Sequence, residues 1–240
     1  VVHWSRLSPL AAIAALLCVT APQAGASDSF YVNASDERPL GVDAARLYDL
    51  ADQSARHWKL SVAGNAGQEP GVRDGIQVLG FSRKINAKAL GVTSVWTRAR
   101  YKIKSSRVCT RVNGKRRCRD VRRYVRSGTD VVERDTQLNP FVTWQQGPGY
   151  PSTAEYDLQS TILHELGHFA NPTKDMHVFG CENSPMIASI APGEFWHASD
   201  DWLRFGCPQA TGPKFRRALP AGPALPMLVV EHRLPAKRHR

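Results

Sequence analysis

The segment His164-Glu165-Leu166-Gly167-His168 constrains this chain more than any other feature. Four residues along an α-helix turn the chain through about 400° and advance it by about 6 Å, so the two imidazoles project about 40° apart. Such a pair can grip one cation. Histidine nitrogen suits Zn²⁺ at about 2.0 to 2.1 Å, and a catalytic zinc keeps three protein ligands plus one open position. The segment supplies two ligands, and Glu165, beside the first, is placed to act as general base toward a water acidified by the metal. The surroundings predict a helix from Asp157, because Leu158, Ile162, Leu166 and Phe169 recur at helical spacing while His164 and His168 fall on the neighbouring face. Gly167 keeps one position small beside the pair. Asn171-Pro172 ends the helix, since proline disfavours helical geometry in the residue before it.

Upstream, Ala44, Tyr48, Ala51, Ala55 and Trp58 follow steps of three and four, which predicts an amphipathic helix over 41–58. Leu60 to Ala63, Ile76 to Phe81, Val92 to Thr97 and Val131 to Leu138 read as strands, and the Gly/Asn/Gln/Pro-rich stretch up to Gly75 reads as a loop. Ala198 to Phe205 reads as a short last helix with Ser199 as N-cap. The order of elements predicts an α+β fold.

The 240 residues suffice for one well-cored domain with short extensions. A weakly cationic start, an apolar run from Leu10 to Val19 and the small-residue pattern Ala24-Gly25-Ala26 predict a signal peptide over 1–26 and export from the cell. The apolar run is about half the length of a spanning helix, so no transmembrane anchor is expected. Cys18 then belongs to the leader, leaving Cys109, Cys118, Cys181 and Cys207, an even set that suits disulfides in an exported chain. Cys109 and Cys118 flank Asn113-Gly114, the strongest short hairpin signal, and are expected to pair; Cys181 pairs with Cys207 by elimination.

The formal charge of +11 is concentrated. Arg98 to Arg126 holds thirteen Lys/Arg against Asp120 alone, a net of +12, so the rest of the chain is close to neutral. This basic hairpin suits an anionic surface or polymer, or a solvated edge that resists aggregation. Only Tyr101 and Tyr124 are aromatic within it, too few for a stacking platform on single-stranded nucleic acid. Residues 208–240, rich in Pro, Ala and basic residues with one apolar run at Met227 to Val230, read as a disordered tail.

The third ligand is open between three residues. His177 lies nine residues after His168, where a loop can turn back to the metal, and Met186 follows in Ser184-Pro185-Met186-Ile187. Asp175 is a second candidate. Glu194 would serve in an arrangement where a later helix completes the site, against which stands Pro192-Gly193 beside it.

This layout resembles the metzincin zinc metallopeptidases, and within them the matrixin-like secreted bacterial peptidases, over most of Gly75 to Cys207. Asp74-Gly75-Ile76-Gln77-Val78-Leu79-Gly80-Phe81 is similar to the second strand region of that family and Ala89-Leu90-Gly91-Val92-Thr93 to the segment after it. Val132 to Asn139 looks like its edge strand, followed by Trp144; Asp157-Leu158-Gln159-Ser160 and Asp200-Asp201-Trp202-Leu203 fit as well. Two positions depart from the pattern, which has glycine and histidine where this chain has Asn171 and Lys174; with His177 as ligand the loop is three residues longer.

The resemblance implies a twisted mixed sheet with an N-terminal helix, a zinc-binding active-site helix and a short C-terminal helix, and substrate held along the edge strand. It implies a monomeric secreted endopeptidase over 27–207 acting on protein or peptide, with Glu165 as base and His164, His168 and His177 on zinc. No acidic loop has a spacing that supports structural calcium, and no cysteine-bearing propeptide segment precedes the domain. The alternative reading is a catalytically weak binding module of the same fold, acting through the basic hairpin.

Overall fold

Asp43 caps the first helix, α1 (Ala44–His57), its carboxylate accepting from the backbone N–H of Arg46 at 3.3 Å. The buried face is Leu47, Leu50, Ala51, Ser54 and Ala55. The predicted stripe holds at Ala51 and Ala55, with Tyr48 and Trp58 half-buried against the core, and Leu47 and Leu50 widen it because they hide more apolar surface than Ala44. The computed structural model describes residues 29–34, 38–39, 41–147, 150–171, 186, 189–195, 215–216 and 225–234. The proposed leader, Asp175, His177, Cys181, Cys207 and the Ala198 to Phe205 helix lie outside the described residues.

The strands are β1 (Ser29–Asn33), β2 (Ser61–Asn65), β3 (Val78–Phe81), β4 (Gly91–Val112), β5 (Lys115–Leu138), β6 (Trp144–Gln145), β7 (Tyr156–Asp157), β8 (Ser189–Ile190), β9 (Glu194–Phe195), β10 (Phe215–Arg216) and β11 (Leu225–Leu234), and the second helix is α2 (Leu158–Ala170). Among the described residues the main sheet has the order β2-β1-β3-β5-β4-β11-β8. It is mixed: β1 pairs in parallel with β2 and β3, β3 with β5 and β4 with β11, while β4–β5 and β11–β8 are antiparallel. The α+β expectation holds at this level. The strand β1 was not anticipated, although Phe30 and Val32 alternate into the core as a half-buried strand should.

Both helices pack on the sheet around one core that joins Phe30, Leu47, Leu50, Leu79, Phe81, Leu138, Leu158, Ile162, Leu166 and Phe169. Phe30 and Phe169 meet with ring centroids 5.3 Å apart. The Arg134 guanidinium lies over the Phe169 ring at 4.8 Å from its centroid and donates to the Phe169 carbonyl. The 66–77 loop is fixed by two carboxylates of β5. Glu133 accepts from the N–H groups of Asp74 and Gly75, both at 2.9 Å, and Asp135 from those of Gly71 and Val78 at 2.7 and 2.9 Å.

Beyond Thr97 and Val131 the β4–β5 hairpin leaves the body and runs on as a mostly exposed two-stranded ribbon, which is the predicted basic segment. Its tip turns at Asn113 and Gly114, with φ of 51° and 74°, the pair of positive angles that a tight hairpin turn requires. Cys109 and Cys118 stand opposite each other and are joined by a disulfide, as expected from the sequence.

Two expectations are corrected. The expected edge strand Val132 to Asn139 is not an edge along its whole length: β3 pairs with Thr136–Leu138 on one side and β4 covers the other, so its C-terminal half is central. The 208–240 tail is not disordered throughout, because Leu225–Leu234 forms β11 on the outer side of β4. Met227, the first residue of the apolar run that interrupts the Pro-rich composition, supplies the core contact. No helix among the described residues is long and apolar enough to cross a membrane.

Candidate metal centre

The site is built on α2, and α2 starts where it does because Asp157 caps it. One oxygen of Asp157 accepts from the Ser160 N–H at 2.7 Å and the Ser160 hydroxyl at 2.5 Å. From Ser160 to Phe169 every side chain of the helix is buried. Buried polar groups are costly without partners, so three ionisable residues on such a helix demand a specific environment. His164, Glu165 and His168 are each 0 % exposed.

The imidazoles converge. Nε2 of His164 and Nε2 of His168 lie 3.0 Å apart, and the rings are inclined at 73° with centroids 4.8 Å apart. Two nitrogens on a tetrahedral zinc with bonds of about 2.0 to 2.1 Å stand about 3.3 Å apart, so the pair is already close to the spacing of a shared cation. Neutral imidazole nitrogens with this geometry fit zinc as a donor set.

Glu165 faces the sheet. Its Oε2 accepts from the Thr93 hydroxyl at 2.6 Å, and Thr93 also meets the Thr136 hydroxyl at 3.0 Å. The other oxygen, Oε1, is buried with no hydrogen-bond partner. Space for this carboxyl comes from Gly91 on β4, where a Cβ would stand 2.5 Å from Oε1 and 2.7 Å from Cγ. Burial pushes the Glu165 carboxyl up to about 8, against the opposing effect of the Thr93 hydroxyl. A divalent cation nearby would bring it back toward the ionised form.

Gly167 has a definite neighbour. A Cβ there would overlap Sδ of Met186 and stand 2.8 Å from Cζ2 of Trp58, whose indole N–H donates to the Leu163 carbonyl at 2.7 Å. Met186, 3 % exposed, thus packs directly against the helix turn between the two histidines.

Glu194 lies on β9 rather than on a helix, and its Oε2 accepts from the Ala191 N–H at 2.9 Å. Among the described residues no third His, Cys, Asp or Glu joins the two histidines in a ligand cluster. His177 and Asp175 lie outside the described residues. Sequence reasoning missed Gly91 and Thr93; the available signal was a glycine followed two residues later by threonine at the start of a β-rich run. No protein-family model matches the chain, and neither does any curated protein or solved structure.

Proposed function

We propose that the chain is an exported zinc-dependent endopeptidase of metzincin type with Glu165 as general base. The observation that carries this reading is the buried, converging Nε2 pair of His164 and His168, 3.0 Å apart on the helix that also bears Glu165. The packing of Met186 against Gly167 supports it further, since the metzincin resemblance implies a methionine in a turn beneath the metal. His164 and His168 would hold the metal, with His177 as the third ligand. Zinc bound there supplies Lewis acidity toward a scissile carbonyl and lowers the pKa of water.

The chain's own residues do the rest. Thr93 orients the Glu165 carboxyl and leaves Oε1 as the free basic atom. Glu165 takes the proton of the attacking water and returns it to the leaving amine. His164, Glu165 and His168 are all fully buried, and a site closed to bulk water strengthens these interactions. Glu165→Gln is expected to keep zinc and to lose casein hydrolysis; unchanged turnover in that variant would remove the assignment.

A binding role for the basic hairpin has its own observation. Cross-strand partners share a face, and Lys102, Lys104, Arg117, Arg119 and Arg123 fall on one side of the ribbon while Arg107, Arg111, Arg116, Arg122 and Arg126 fall on the other. A ribbon cationic on both faces suits an anionic polymer that surrounds it, and arginine is the residue that engages phosphate or carboxylate bidentately. Binding of a polyanion that weakens steeply with added salt supports this role, and salt-insensitive binding contradicts it.

A further inference from the structure

The sheet has two flanks among the described residues, β2 at one end and β11 with the short β8 at the other. Only the second lies beside the candidate centre, because α2 packs on β4, β5 and β11, and Gly91 and Thr93 of β4 are the residues that touch Glu165. An extended peptide is most simply held by adding a strand to a sheet edge, with main-chain hydrogen bonds supplying affinity. The outer side of β4 is the edge suited to that task, and β11 occupies it.

The occupation is extensive. Met227 through Leu234 pair in parallel with Gly91 through Arg98, so Met227 stands directly beside Gly91, the residue whose missing side chain makes room for Glu165. Met227 is 1 % exposed and belongs to the core that includes Leu166 and Phe169. Further along, the His232 and Trp96 rings stack at 4.9 Å and 15°, and the Thr97 hydroxyl donates to Glu231 at 3.0 Å. Yet Val230 to Arg233 are exposed, and a parallel ladder is slightly weaker per residue than an antiparallel one. The strand is anchored in the core at Met227 and lies exposed from Val230 to Arg233, held there by its ladder and surface contacts alone, as a displaceable occupant would be.

We infer that β11 is an autoinhibitory strap: the C-terminal segment Leu225–Leu234 fills the peptide-binding edge of β4 and must leave before substrate can lie across Glu165. This rests on the peptidase reading above and adds a mode of latency to it, with no cysteine involved. A second strand position, the outer side of β11 itself, is one strand spacing, about 4.8 Å, further from Glu165 and would serve a substrate only if β11 were a permanent part of the sheet.

The test uses the zinc-loaded full-length chain with Val230→Pro and Glu231→Pro together. Neighbouring residues in a strand turn their N–H groups to opposite sides, so the pair removes one ladder donor toward β4 without touching the core. A chain ending at Ala224 is the second variant. Both are expected to hydrolyse a fluorogenic peptide about tenfold faster or more, because the competent state is no longer masked; a synthetic peptide of residues 225–236 should then inhibit the shortened chain.

Unchanged or lower activity, with zinc content and circular dichroism preserved, overturns the strap and makes β11 a structural strand. If no form hydrolyses any peptide, the peptidase reading fails on its own. The strap is then decided by binding of a labelled peptide in the Glu165→Gln background. Capture by the released variants and not by the full-length sequence sustains it, and equal capture by all forms overturns it.

Discussion

A β-carbon on Gly91 would stand 2.5 Å from Oε1 of Glu165, so the carboxyl has its place only because β4 begins with a residue that lacks a side chain. Since Cγ and Cδ of Glu165 would stand 2.7 and 2.8 Å from that point, the whole side chain would have to swing away. Gly91→Ala is therefore expected to cost about 1 to 3 kcal/mol of stability by overpacking. It should cost far more in hydrolysis, about 100-fold, because an ångström-scale displacement of a base is felt directly. Urea denaturation and peptide turnover on the same preparation check both numbers.

Gly167→Ala probes the opposite side of the helix. The new methyl group would meet Met186 Sδ and the Trp58 ring, neither of which sits in open space. A loss of about 1 to 3 kcal/mol is expected in the urea midpoint, and a stability equal to that of the parent would show that Met186 does not pack there.

Asp135 sets a pH dependence of folding. Burial pushes its carboxyl up to about 7 from 3.8, against the N–H groups of Val78 and Gly71 and with help from the negative charges of Glu133 and Asp74. A raised folded-state pKa means that the folded chain binds the extra proton, so this contribution is fully present below about pH 4 and lost as pH rises through about 7. Glu133, raised by its burial, acts in the same sense. Asp135→Asn should lower stability at acidic pH, since Gly71 and Val78 donate to different oxygens of the carboxyl and the amide replaces one of these with an NH₂ donor, and should flatten the slope between pH 4 and 7. An identical slope in both proteins contradicts the assignment.

The ribbon makes a separable prediction. Replacing the cross-strand partners Lys104 and Arg123 by glutamate reverses two charges on one exposed face without reaching the core. Polyanion affinity should fall and its dependence on salt should weaken, while zinc content and thermal stability stay as in the parent. Retention of full affinity would move the binding surface elsewhere.

Much of this was legible from local signals. The spacing of His164 and His168 and the apolar positions Leu158, Ile162, Leu166 and Phe169 defined α2 and the convergence of its two imidazoles, because helix periodicity is a local property. Asn113-Gly114 between two cysteines fixed the hairpin and its disulfide for the same reason. What escaped was non-local. Whether Val132 to Asn139 lies at an edge depends on what β3 and β4 do, and nothing within the segment records it. Likewise Met227 to Val230 is too short an apolar run to stand out inside a Pro-rich tail, and its partner strand lies more than a hundred residues upstream. The roles of Gly91 and Thr93 are defined by Glu165, on another element, and were invisible for that reason.

The proposed site, one zinc ion shared by His164 and His168 and served by Glu165, is decided by the metal content of the purified chain. Elemental analysis after exchange into metal-free buffer should find about one zinc per chain, about none in a His164→Ala, His168→Ala variant, and an undiminished amount in Glu165→Gln, whose side chain is no ligand. Absence of zinc from the parent chain after incubation with the metal, or equal zinc in the doubly substituted variant, would contradict the account.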